Sequence, residues 1–480
     1  MSGLEVGAAK ININPPIGHS KGGYRLFAEP ITSIDDDIDL GVIVVSSQGK
    51  TVAIIASDIG NSSVPEATEI RELVASILNI SRAEVLFNVS HNHSAPCLGM
   101  VGNNGNDSSI HNQYRDSYYE VLLTKVSECA KSAKANLQPA RMAHAWGKAD
   151  LNIYRREWQG NQDILGEVPD HPVDDSVGVI RFDDLKGKAI ATLFRYSCHP
   201  VVNGAVSPTL SADFPGPAKK LVEEKIGGLA FFLQGCGGNL NPQVGIGYER
   251  DCSESVYKVG TALGAEVVRV AISLETHRFQ KERVTLNGVP NILFKPWKPV
   301  ETHEDLELAG AEEIVPFRFS PLPSQTLLLQ QKAKWEQEVA ERIHRGALSW
   351  EIRVAKANLV YVESVLLRSV ENQPTCDFLA HALRIGDVAL VGLGVEAFFE
   401  TGLQIKENSP WRSTFVLGYS NGTIMYLPRK EDYPNQGWQW PNSHALPDLL
   451  PQVYCQPALW HPDSEQQAVA AALRALASVQ

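Results

Sequence analysis

The sequence predicts an α/β fold with mixed β-sheets flanked by helices, and three observations carry that expectation. Short apolar runs rich in Val, Ile and Leu recur at 40–47, 51–57, 85–89, 189–197, 229–233, 388–395 and 415–419, as buried strands do. Between them, stretches at 64–78, 116–135, 260–274 and 464–479 place apolar residues three and four apart, the helical period. The order strand, helix, strand over 51–89 favours a parallel pair, whose carboxyl ends are where α/β proteins place ligands.

The first two runs join through Gly49 and predict a hairpin, with Asp58 just after the second. The run ending at Val89 leads into Ser90-His91-Asn92-His93-Ser94-Ala95-Pro96. A strand repeats every two residues, so His91 and His93 are expected on one face. His-x-His at a strand end offers imidazole nitrogens to one metal ion; the alternative is a polar turn with one buried histidine.

Residues 99–112 are rich in Gly, Asn, Asp and Ser and read as a long loop. Arg155 and Arg156 fall in another expected loop, as an oxygen-binding group or a solvated surface pair. The run 189–197 enters Cys198-His199-Pro200, and the run 229–233 enters Gln234-Gly235-Cys236-Gly237-Gly238-Asn239. The glycines of that turn would let backbone amides approach a ligand. Residues 284–323 carry many prolines and no clear period, and read as an excursion; 324–345 reads as a long, solvated helical arm. The run 388–395 ends at Glu396, and the run 415–419 leads to Tyr426.

Composition excludes several classes. The 480 residues are 44% hydrophobic and 20% charged, as in a globular chain. A net charge of −12, with no basic run, argues against a nucleic-acid partner and stable membrane association. No window has the length of a membrane span, and the N-terminus lacks the basic-then-apolar pattern of a signal peptide. Seven scattered cysteines form no Cys-x-x-Cys pair, which suggests neither a thiolate zinc site nor a disulfide framework and leads us to expect a reduced, cytoplasmic protein. Nothing in the sequence addresses oligomeric state.

His91, His199 and Glu396 each follow an apolar run. Together they make a two-histidine, one-carboxylate set suited to a catalytic zinc. A metal in such a set acidifies water and polarises a carbonyl, the two needs of amide or ester hydrolysis. Core histidines and a helix-capping glutamate are the structural alternatives. Cys236 is a rival nucleophile, with His93 or His199 as base. Its turn lacks the full Gly-x-nucleophile-x-Gly elbow, because Gln234 stands at the first glycine position.

Taken together, these segments resemble the catalytic domain of the neutral (non-lysosomal) ceramidase family. His91-Asn92-His93-Ser94-Ala95-Pro96 resembles its His-Thr-His-Ser-Gly-Pro motif, and Ala56-Ser57-Asp58-Ile59-Gly60 its Ser-Ile-Asp-Ile-Gly stretch. Asn152-Ile153-Tyr154-Arg155 resembles Asn-Ile-Asn-Arg, Ser211-Ala212-Asp213 resembles Ser-Gly-Asp, and Gly394-Val395-Glu396-Ala397 resembles Pro-Gly-Glu-Phe. Asn421 through Tyr426 matches an Asn-x-x-x-x-Tyr segment, with Glu431, Asp432 and Tyr433 in register.

The resemblance implies a catalytic domain over 1–480, with 284–350 an inserted or connecting segment and no C-terminal immunoglobulin-like domain. It implies zinc held by His91, His199, Glu396 and Tyr426. It also implies catalytic roles for His93, Arg155 and Tyr426, and substrate contacts from Gly235, Cys236, Asn239, Tyr433 and Trp438. The family's Ser-Asn-x-Gly-Asp is replaced by Gly235-Cys236-Gly237-Gly238-Asn239, and a later tyrosine by Trp438. These departures point away from ceramide itself. The expected activity is zinc-dependent cleavage of the N-acyl amide bond of a small-molecule acyl substrate by metal-activated water. The alternatives are an ester or lactone hydrolase and a non-catalytic metal-binding relative.

Overall fold

The structure is a computed structural model that describes residues 3–23, 30–98, 108–158, 163–276, 279–281, 297–299, 305–321, 324–371, 375–432, 454, 456 and 458–480. The predicted hairpin forms from β2 (Asp39–Ser47) and β3 (Lys50–Ser57). Its turn, Gln48-Gly49, has φ of 51° and 77°, the left-handed pair that matches the twist of a two-residue hairpin. Two more elements return the chain to the sheet, α1 (Val64–Leu78) and then β4 (Val85–Val89). There β4 pairs parallel with β3, from Ala53↔Val85 to Ser57↔Val89. With β1 (Glu5–Asn12), β5 (Gln138–Lys148), β7 (Ser176–Asp184), β8 (Ala189–Tyr196) and β9 (Leu229–Gln234), they form an eight-stranded sheet in the order β9-β8-β7-β5-β1-β2-β3-β4.

A four-stranded sheet, β10 (Leu308–Arg318), β11 (Thr375–Ile385), β12 (Val388–Leu393) and β13 (Ser413–Leu417), packs against the first. Ile43, Ile54, Leu86 and Phe231 of one sheet meet Leu383, Leu390, Phe415 and Leu417 of the other in one buried cluster. Each such side chain contributes about 1.5–3 kcal/mol. Helices cover the outer faces: α1 and α2 (Ser108–Ala135), and α3 (Pro215–Ile226) with α4 (Ser253–Ser273), lie on the first sheet. The second carries α7 (Phe399–Asn408) and α8 (Ser464–Ser478), whose buried Ala468, Ala471, Ala472 and Ala475 allow close approach. Between β10 and β11, α5 (Gln325–His344) and α6 (Ser349–Glu371) pack on each other through Leu328, Tyr361, Val362 and Val365.

Several boundaries differ from expectation. The described helix α2 begins at Ser108, inside the expected loop, and α4 begins at Ser253; both open on polar turns that hide the helical period. Residues 99–107 lie outside the described residues. The stretch with Arg155 is strand β6 (Asn152–Trp158), held between Asp163–Val168 and Leu240–Pro242. Residues 308–318, read as part of an excursion, pair along their full length with β11.

Within the two large sheets the parallel pairs are β3/β4, β8/β9 and β12/β13, and β4, β8, β12 and β13 lead at their carboxyl ends into one region. Asn88 ties that region together. Its Nδ2 donates to Gly418 O (2.8 Å) and Ser420 Oγ (3.1 Å), while its Oδ1 accepts from Gln234 N (2.8 Å). Asn88→Ala should therefore lower the urea-derived unfolding free energy by about 2–3 kcal/mol. A loss below about 0.5 kcal/mol, the range of surface changes, would refute this role.

Candidate metal centre

His91 follows β4 with φ at 61°, so it is not part of a continuing strand. The two histidines meet through a turn, a correction to the shared-strand-face expectation. Asn92 makes the turn: its Oδ1 accepts from Ser94 N (2.9 Å), and its Nδ2 points away to Ser211 O. His91 Nε2 and His93 Nε2 are 3.1 Å apart. His199 follows β8, is fully buried, and brings its ring to 4.9 Å from that of His91. The ligand nitrogens of His91, His93 and His199 all lie within 4.8 Å of one another.

Glu396 and Tyr426 arrive from the second sheet as partners in a short parallel bridge. Glu396 Oε2 lies 3.4 Å from His91 Nε2 and 3.2 Å from His199 Nε2. Tyr426 Oη is 3.5 Å from His199 Nε2. The ligand set expected from the sequence thus comes together, with His93 beside it.

Arg155 is buried, which overturns the solvated-pair alternative. Its Nη1 donates to Asn241 Oδ1 (3.1 Å). Its Nη2 faces Gly238 O (2.7 Å), Tyr426 Oη (3.0 Å) and His199 Nε2 (3.3 Å). Two hydrogens on Nη2 meet three acceptors, and the imidazole contact is the longest.

The protonation pattern follows. His199 Nδ1 is 2.6 Å from Gly237 O, a pure acceptor, so Nδ1 carries the proton and the Nε2 lone pair faces Glu396. Burial, with Arg155 nearby, pushes the His199 imidazole down to about 3, so the ring is neutral. Burial alone would raise the Glu396 carboxyl, but the His91 imidazole and the hydroxyl of Tyr454 hold it below the usual carboxylate range. Burial and then the Glu396 charge push the Tyr426 phenol up, against the Arg155 cation. A buried carboxylate thus faces an imidazole lone pair at 3.2 Å with a proton on neither. That donor set fits a divalent cation.

The glycine-rich turn behaves differently from expectation. Its amides are used internally: Gly235 N donates to Tyr196 O, Gly237 N to Gly235 O and Gly238 N to Ala397 O. What it presents to the centre is carbonyls, which orient His199 and Arg155. Asn239 is buried and spends its side chain on α7, accepting from Phe399 N (3.1 Å) and donating to Glu400 Oε2 (2.8 Å). Cys236 sits in the core behind the turn, and burial pushes its thiol up to about 12, which removes the basis for a nucleophile. Tyr433 and Trp438 lie outside the described residues.

Asp58 is no part of the centre; it anchors Asp39 N (2.7 Å) and Lys219 Nζ (2.5 Å). Sequence reasoning missed three residues here: Asn241 beneath Arg155, and Tyr419 and Tyr454 beside Glu396. Only Tyr419, at the end of an apolar run, shared the signal that marked the others. Cys129, Cys198, Cys236 and Cys252 are free thiols, and no described helix is long and apolar enough to cross a membrane.

No protein-family profile matches the sequence, and no curated protein does either. Solved structures do match. The neutral ceramidase from Pseudomonas aeruginosa aligns at TM-score 0.66 and 16% identity, covering 100% of this chain and 75% of that one. A structure described as a ceramidase complexed with C2 aligns at TM-score 0.66 and 15% identity, with the same coverage. The chain therefore has a neutral ceramidase-like fold. As for Cys236, native protein treated with iodoacetamide at about pH 8 should stay unlabelled there by peptide mass spectrometry, and label once unfolded. An adduct on the native protein would restore the thiol as a candidate.

Proposed function

We propose that this chain is a zinc-dependent hydrolase that cleaves the amide bond of a small N-acyl substrate. The reading proceeds from its neutral ceramidase-like fold. The observation that carries it is the buried convergence of His199 Nε2 at 3.2 Å and His91 Nε2 at 3.4 Å on Glu396 Oε2. His91, His199, Glu396 and Tyr426 would hold the ion. Bound there, zinc supplies Lewis acidity and lowers the pKa of water.

The protein's own groups do the rest. His93 is the half-buried member of the histidine group, the other two being buried. Its imidazole takes the proton from the attacking water and returns it to the leaving nitrogen. Arg155 holds Tyr426 and keeps a fixed positive charge beside the site of developing oxyanion charge. The Gly237 carbonyl fixes the His199 tautomer. The same arrangement serves an ester or lactone, and the leaving group separates these cases.

Purified protein should contain about one zinc per chain by mass spectrometry, and His199→Ala should lose it. A zinc-free wild type, even after zinc is supplied, overturns the reading. Screening N-acyl amides against matched esters then tests the bond cleaved. His93→Ala should keep the metal and lose about 10²–10⁴-fold in kcat. Loss of zinc in that variant would make His93 a ligand instead.

A further inference from the structure

We propose that Tyr419 and Tyr454 are positioning residues for Glu396, Tyr454 restricting it to binding its metal through Oε2 alone and Tyr419 aligning that oxygen with His91. This rests on the metal centre proposed above. Glu396 is 1% exposed, and its two oxygens have separate neighbours. Oε2 faces His91 Nε2 at 3.4 Å and His199 Nε2 at 3.2 Å, and accepts from the Tyr419 hydroxyl at 3.2 Å. Oε1 accepts from the Tyr454 hydroxyl. Asn61 Nδ2 donates to that same hydroxyl at 3.1 Å, which leaves the hydroxyl's own proton for the carboxylate. The direction of donation is therefore Asn61 to Tyr454 to Oε1. With Oε1 engaged, chelation by both oxygens would break a buried charge-assisted hydrogen bond.

Tyr419 does a second job. Its ring stacks on His91 with centroids 4.3 Å apart and an interplanar angle of 27°. Its backbone has φ at 50°, a conformation that disfavours a non-glycine residue and persists only when surroundings impose it. Three backbone bonds do so: Tyr419 N to Val395 O, Val89 N to Tyr419 O and Ser420 N to Leu393 O. One side chain thus aligns a donor from each sheet, His91 after β4 and Glu396 after β12. A carboxylate held to one oxygen keeps a coordination position open for substrate.

The test compares Tyr419→Phe and Tyr454→Phe with Tyr118→Phe, which removes another buried hydroxyl, one that donates to Ile13 O at 2.8 Å. Metal-free protein is titrated with zinc against a chelator of known affinity, and the cobalt-substituted protein is read by visible absorption. Both centre variants should bind zinc about 10–100-fold more weakly. The cobalt bands of Tyr454→Phe should lose intensity as coordination number rises. Tyr118→Phe should match wild type in both readouts. Should Tyr419→Phe fail to fold, Tyr454→Phe alone decides the denticity of Glu396. Wild-type affinity and spectrum in a folded Tyr454→Phe overturn the inference and leave the zinc centre standing. A wild type that binds no zinc overturns the centre itself.

Discussion

A carboxylate buried within 3.4 Å of two imidazole nitrogens is the constraint on which the rest of this structure turns. Glu396 lies at the meeting of two sheets, where bulk water cannot screen its charge. Every neighbour answers that charge. Tyr419 and Tyr454 donate to its oxygens, Arg155 stands one residue away behind Tyr426, and the ring nitrogens of His91 and His199 converge on Oε2. The packing of the sheets through Leu86, Leu390 and Phe415 is what excludes water, so the core and the centre are one piece of physics.

Much of this was legible in the chain. Buried strands read as apolar runs, and a polar residue just past such a run stands at a strand's carboxyl end. His91, His199 and Glu396 were found that way, and the structure brings them together. Strand β6 was not legible because its sequence is polar; it is a strand by virtue of its two partners, a tertiary fact. Strand β10 was hidden by glutamates and a proline suited to an edge position. The left-handed backbone at His91 and Tyr419 leaves no trace in residue spacing, since neither is glycine.

The glycine-rich turn after β9 shows how a correct observation can carry the wrong sign. Glycine does permit close backbone approach there, as a Cβ on Gly235 would clash with Ser197 Oγ. The approach is to the protein's own core, though, and the turn faces the centre with oxygens. An arrangement of carbonyls suits imidazole N–H and guanidinium, and is unsuited to an anionic substrate. Cys236 follows from the same geometry: a thiol beneath such a turn packs against Gly402 and stays protonated.

The meeting of parallel pairs from both sheets has a kinetic consequence. His91 and Glu396 are neighbours in space but lie on opposite sides of more than half the chain, and the strands that carry them pair with different sheets. Long loops must close before such contacts form. Neither sheet alone contains the donor set, so assembly of the centre can only follow docking of the two halves. Metal uptake during refolding would then report the last long-range step of folding, and a chain arrested before it would have both sheets and no site.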